Sequence, residues 1–238
     1  MRIPLTPRRR PRAPTRRTST RRGRMWRSGT SSWAKGAEGG KRKAKGEELL
    51  PFPALFQTDG MTLGLRRGTV ELRPSSAEYP ALFAQERGRV ARALGPLAVA
   101  IKHVGSTSVP GLAAKPILDL AVGVEDAARM DACIRPLEQI GYVSFGDREG
   151  WGEYFFARGP DEARTHYLHL MPVGERRWRD YLLFRDVLRS RPDLRDEYQS
   201  LKTALARQHG AARAEYTARK GAFVERILAE FRSSDGVS

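Results

Sequence analysis

The sequence predicts an α+β domain, a sheet of short strands with packed helices, followed by a helical C-terminal part. Three observations lead there. Residues 69–173 mix strand-like and helical runs. Residues 175–232 carry only helical apolar spacing, with Pro192 as a break. Residues 1–60 carry neither pattern.

In chain order, TVELR from Thr69 alternates and reads as a first strand. SSAEYPALFAQERGRVARALG reads as a helix, with Ser75 and Glu78 as a capping box and Gly95 as its end. Pro80 suits the first turn, where no N–H is needed. AVAIKHV (98–104) and PILDLAVGV (116–124) are strands. Asp126 is placed to cap a helix that runs to about Ile140 and closes at Gly141. YVSF (142–145), EYFFAR (153–158) and HYLHLMPV (166–173) follow as strands. The last helices span 175–190, 193–208 and 212–232, with Trp178, Phe184 and Tyr198 at core spacing. No internal repeat is visible.

The chain has 238 residues and a formal net charge of +16. Residues 1–60 hold 16 Lys+Arg against 4 acids, so the charge is mostly a property of that segment. Pro, Ser, Gly and like charges dominate there, too little apolar surface to offset ordering entropy, and a disordered extension is expected. Three readings stay open for it: an inert solvated arm, an extension from a start assigned upstream of Met61, or a basic arm touching nucleic acid nonspecifically. It also shares the Arg- and Ser-rich, acid-poor composition of an organellar transit peptide. Residues 61–238 form the expected domain. Cys133 is the one cysteine, which excludes an internal disulfide and suits a reducing cytoplasm. It lies in an amphipathic pattern and reads as a buried thiol. No apolar run reaches the length of a membrane span.

The chemistry concentrates in HVGSTSVPGLAAKPILDLAV, His103 to Val122. Gly105 lets the chain leave a strand sharply. Ser106, Thr107 and Ser108 then offer N–H and hydroxyl groups suited to an anion, and Lys115 adds a compact positive charge. Asp119 interrupts an apolar strand, where an acid costs several kcal/mol unless paired or metal-bound. Alternation puts Ile117, Asp119 and Ala121 on one face. The plain alternative is a loop, with Asp119 paired to Lys115 or a distant arginine. Farther on, Tyr167 and His169 share a strand face and His166 points away.

HVGSTSVPGLAAKPILDLAVGV resembles the signature of the GrpB family, close to HIGSTSVPGLxAKPIIDIxV. The resemblance extends to YLH (Tyr167–His169), FRDVLR (Phe184–Arg189), YQSLK (Tyr198–Lys202) and YTARKGAF (Tyr216–Phe223), and covers about 66–232. It implies a nucleotidyltransferase-like fold of the polymerase-beta superfamily, with a mixed or antiparallel sheet. There a Gly-Ser turn holds a nucleotide's phosphates, and two acids in a D-x-[DE] pair plus a third acid hold two metal ions. Carried over, Gly105 and Ser106 match the turn and Asp119 matches the first acid. Ala121 stands where the second acid would be. The family's usual H-L-H is Tyr167-Leu168-His169 here.

The resemblance therefore implies nucleoside triphosphate binding with Mg²⁺ or Mn²⁺ at Asp119. It also implies nucleotidyl transfer to an unknown acceptor, with Asp119 and His169 as the catalytic candidates. His169 has three readings: metal ligand, general base or phosphate donor. His103, Gly105, Ser106, Thr107, Ser108, Lys115, Arg185, Lys202 and Lys220 are the phosphate-binding candidates, with His103 alternatively a residue that orients the loop. Arg185 is alternatively a partner for Asp119. A second reading is a catalytically inactive accessory module, as described for family members fused to dephospho-CoA kinase.

Overall fold

The structure is a computed structural model that describes residues 63–147, 150–208 and 213–232. The expectations for residues 1–60 and for Met61 lie outside the described residues.

The five strands are β1 (Ala100–Val104), β2 (Leu118–Val124), β3 (Tyr142–Ser144), β4 (Tyr154–Arg158) and β5 (His166–Pro172). They form one sheet in the order β1-β2-β5-β4-β3. β2 pairs parallel with β5, and the other three pairs are antiparallel. The sheet is thus mixed, and the fold is α+β as the sequence predicts. Strands β2 and β5 lie at its centre with both faces covered, which is why LDLAVGV reads as a nearly unbroken apolar run.

One face is covered by α1 (Tyr79–Leu94) and α2 (Ile134–Gln139). Tyr79, Leu82, Val90 and Leu94 of α1 pack on Leu118, Leu120, Val122, Leu168 and Leu170. The other face receives α3 (Arg176–Ser190), whose Trp178 packs on Val104, Ala121 and Met171. Gly123 makes room there, because a Cβ would run into Val173 Cγ1 and stand 3.1 Å from the Trp178 ring. α4 (Pro192–Gln208) and α5 (Arg213–Arg232) join α3 in a separate apolar cluster. Val109 and Leu112, which follow the Ser106 turn, are buried in that cluster with Val187, Leu188, Tyr198 and Phe223. The helical half therefore grips the segment between β1 and β2.

Three local expectations change. TVELR forms no strand and pairs only as a single bridge, Arg73 with Ala114. The capping box is absent: Glu78 makes no side-chain cap, Ser75 Oγ instead accepts from Gly111 N–H, and Ser76 Oγ accepts from Glu78 N–H. The stretch after Asp126 winds as two 3₁₀ turns before α2, and Asp126 makes no cap bond. In each case a tertiary contact or a tighter turn takes groups that local spacing alone would pair. Cys133 is buried, as expected. Trp178 and Tyr198 are core residues, and Phe184 is half-buried beside Tyr198. Among the described residues no helix is long and apolar enough to cross a membrane.

A buried ionic cluster ties α1 to the sheet. Glu86 is 4% exposed and accepts from Tyr142 OH at 3.0 Å and from Arg158 at 2.5 Å. Burial raises the Glu86 pKa, but His166, Arg158 and Arg89 outweigh it and hold the carboxylate below its usual range. Burial also lowers the His166 pKa to about 4, so that ring is neutral at neutral pH. Removing Glu86 takes away the buried carboxylate to which Arg158 and Tyr142 both donate. Glu86→Ala is expected to lower unfolding stability by about 3–5 kcal/mol in urea titrations. A loss below 1 kcal/mol would show that the cluster does not hold α1.

Candidate functional site

The site lies where β1 ends, β2 begins and α4 crosses behind them. Gly105 has φ +67 and ψ −176, a conformation open essentially to glycine alone. It also lies against Asp119, where an added Cβ would stand 2.8 Å from the carboxyl Cγ. Ser106–Ser108 then form one 3₁₀ turn. Two of the three hydroxyls close the turn on itself. Ser108 Oγ donates to Gly105 C=O at 2.6 Å, and Thr107 Oγ1 shares a 3.0 Å hydrogen bond with His103 Nε2. His103 is buried, stacked on Phe83, with its pKa lowered to about 4 by burial. His103, Thr107 and Ser108 therefore set the shape of the turn, and Ser106 is the hydroxyl that bonds outside it.

Lys202 of α4 meets that hydroxyl. Its ammonium donates to Ser106 Oγ at 3.2 Å and to Ala113 C=O at 2.5 Å, with the Tyr198 ring 4.8 Å away. The residue is 2% exposed, and no carboxylate among the described residues neutralises it. Burial, reinforced by Lys220 of α5, lowers its pKa to about 7.

Asp119 is 27% exposed at its side chain, so solvent and ligands reach it. The parallel β2–β5 register sets Ala121 opposite His169, which brings His169 Nε2 to 3.9 Å from Asp119 Oδ1. The other ring nitrogen, Nδ1, donates to Glu153 Oε1 at 2.5 Å. Glu153 also accepts from Tyr181 OH at 3.2 Å and from Arg177. Burial disfavours a charge on His169, yet Asp119 and Glu153 outweigh it and raise the pKa to about 9. Burial likewise disfavours ionised Glu153, but His169 and Arg177 hold its pKa at about 2. A small cavity of about 110 Å³ opens beside His169, with Arg177 stacked 4.0 Å from the Trp151 ring centre. Among the described residues no group of three or more His, Cys, Asp or Glu stands ready to hold a metal ion.

Gly105, Ser106, Asp119, His169 and Lys202 thus come together, with Lys220 close enough to Lys202 to act on its charge. Arg185 does not pair with Asp119. It binds Asp186 and donates to His103 C=O at 3.1 Å, because α3 runs past the end of β1. Lys115 is half-buried between the Ala114 bridge and β2, its C=O accepting from Ile117 N–H at 2.7 Å. Four residues were not singled out in sequence. Glu153, Arg177 and Tyr181 hold His169, and Arg189 donates to Ser108 C=O at 2.7 and 2.9 Å. Glu153 had no signal that spacing could show: it precedes Phe155 by two, and only the β4–β5 pairing sets Phe155 opposite His169. The arginines had none, among so many on α3.

A protein-family model described as GrpB protein matches residues 69–230. The chain belongs to the GrpB family. The GrpB structure from Enterococcus faecalis superposes with a TM-score of 0.62 at 32% identity, covering 67% of this chain and 96% of that one. A UPF0157 protein of Pseudomonas aeruginosa is 38% identical over 67% of this chain and 66% of its own length. A protein named dephospho-CoA kinase from Mycolicibacterium paratuberculosis is 29% identical over 66% of this chain and 43% of its own length. The match therefore spans only part of these two relatives. In this GrpB protein the signature HVGSTSVPG builds the turn over Asp119.

Two outcomes follow from the site's geometry. Gly105→Ala loses about 1–3 kcal/mol from the backbone conformation alone, and the added methyl displaces Asp119; thermal unfolding measures the first. In an NMR titration His169 is expected to titrate near 9 and His103 and His166 near 4. His169's pKa is raised from 6.5 to about 9, so its stabilising effect is complete below 6.5 and lost as pH rises through 9. Glu153→Gln moves the His169 midpoint down. A midpoint already at 6.5 or below in the unsubstituted protein would break this account.

Proposed function

We propose that this GrpB protein binds a nucleoside triphosphate, with the phosphates on the Gly105–Ser106 turn and Lys202 and Lys220 as counter-charges. The carrying observation is the buried Lys202 ammonium, held on Ser106 Oγ and Ala113 C=O without a carboxylate partner. An unneutralised buried cation costs several kcal/mol, and an anion at Ser106 recovers that cost. The positive φ at Gly105 supports the reading, since it permits close approach of ligand to backbone. Protonated His169 adds a donor facing Asp119. Its charge favours the phosphate-donor role over those of metal ligand or general base.

The donor set does not fit two resident divalent ions. Ala121 stands at the second acid's position, and Glu153 is engaged by His169, Arg177 and Tyr181. It fits one hard ion arriving on the triphosphate, since Mg²⁺ keeps most of its waters and takes one or two carboxylates plus phosphate oxygens. Asp119 is the residue that would hold it, and the ion would supply positive charge at the phosphate oxygens. Transfer of the nucleotidyl group to an acceptor hydroxyl is the finer reading. In it Ser106, Lys202 and His169 orient the phosphates and Asp119 faces the reacting end.

A second reading, a binding or accessory module without turnover, is favoured by Ala121 and by the relative named dephospho-CoA kinase. Turnover separates the two: binding that survives with no pyrophosphate release for any tested hydroxyl acceptor supports the accessory role.

Calorimetry with ATP, GTP, CTP and UTP, each with Mg²⁺, tests the binding. Ser106→Ala and Lys202→Met are each expected to weaken it by about 10–100-fold, the worth of a charge-assisted hydrogen bond. Triphosphate binding near pH 8 should take up a proton, because an anion raises the pKa of Lys202 from about 7. That uptake, read from buffers of different ionisation enthalpy, disappears in Lys202→Met. Failure of all four nucleotides to bind would sink the proposal.

A further inference from the structure

A second, larger cavity lies behind the same lysine. It is a groove of about 520 Å³ between the Leu72–Ser75 segment, Gly111, Ala113 and the C-terminal half of α4. That volume is within the range of small-molecule sites. Gln199, Thr203 and Ala206 line it at helical spacing along α4, and Lys202 lies in the same stretch of that helix. Ala113 connects the two places. It lines the groove, and its C=O accepts from the ammonium that also holds Ser106.

The groove's chemistry is selective. Leu72, Pro74 and Ala206 give it aliphatic walls. Gln199 Oε1 accepts from Ala113 N–H at 2.8 Å, which fixes the amide so that its NH₂ remains as a donor. Neither that NH₂ nor the Thr203 hydroxyl has a partner among the described residues. Arg207 stands at the rim, and a guanidinium plane stacks on flat rings. None of the described lining residues is acidic. Apolar walls, a fixed amide donor, a hydroxyl and a stacking guanidinium together match a flat heterocycle with ring nitrogen or carbonyl acceptors.

We infer that this groove is the nucleoside pocket, taking the base of the nucleotide whose phosphates lie on the Ser106 turn. The inference rests on the triphosphate reading above and adds where the base goes and which side chains read it. Gln199 and Thr203 recognise the base edge, and Ala206 leaves the space the ring occupies.

Comparison of nucleotides with inorganic tripolyphosphate separates the two claims. ATP, GTP, CTP, UTP and tripolyphosphate are titrated, each with Mg²⁺, into the full chain and into Gln199→Leu, Thr203→Val and Ala206→Phe. The best nucleotide is expected to bind at least tenfold more tightly than tripolyphosphate. Ala206→Phe fills the groove and should remove that advantage while tripolyphosphate affinity stays within twofold. Gln199→Leu and Thr203→Val should reduce it and change the ranking of the four bases. Equal affinity for nucleotides and tripolyphosphate overturns the nucleoside pocket and leaves the phosphate turn standing, as does a preference that all three variants leave intact. Failure of tripolyphosphate and nucleotides alike removes the triphosphate reading and the pocket with it.

Discussion

The parallel pairing of β2 with β5 is the constraint on which the rest of the site depends. Three of the sheet's four pairings are antiparallel, but this central pair is parallel and aligns Asp119 with Tyr167 and Ala121 with His169. A slip of one residue would turn Asp119 into the apolar layer beneath α1 and His169 away from it. Leu118, Leu120 and Val122 on β2 and Leu168 and Leu170 on β5 prevent that slip, because all five are buried in one cluster. The core thus sets the register, and the register places the acid beside the imidazole.

That register has an electrostatic consequence. On β2 the chain carries one acid, Asp119, with Ala121 two residues on, and the neighbouring strand supplies a cation. Protonated His169 is buried, so it needs charge on both sides, and Glu153 and Asp119 provide it. Glu153 is in turn held by Arg177 and Tyr181 from α3. The outcome is a carboxylate engaged on every side at Glu153 and a reachable one at Asp119. The cleft therefore presents one accessible acid beside cationic groups, the arrangement on which the proposed triphosphate binding rests.

Most of the fold was legible because apolar spacing controls it. Strands β1 to β5 and helices α3 to α5 stand where alternation and helical spacing put them, since both patterns record which face is buried. The errors fall where local signals compete with distant partners. Ser75 reads as a cap but serves Gly111 N–H, 36 residues on, and TVELR alternates yet finds a partner only at Ala114. At the site, the turn and Asp119 were legible because glycine, hydroxyls and an acid are unusual between apolar strands. Roles within the turn were not: spacing cannot show that Thr107 and Ser108 bond inward while Ser106 faces Lys202. Glu153 went unseen because its importance depends on which strand β4 pairs with.

Lys202 joins these levels. Its ammonium bonds Ser106 in the turn and Ala113 in the groove, while Tyr198, Val109 and Leu112 pack the same segment into the helical cluster. A lysine used only for structure would be neutralised by a carboxylate or would extend its head to water. This one does neither, and Lys220 opposes its charge further. The apolar cluster supplies the stability that holds an unfavourable cation in place. The fold itself therefore builds the turn, and in the proposed binding an anion meets an amino group already in place and draws its proton onto it, instead of having to order a side chain.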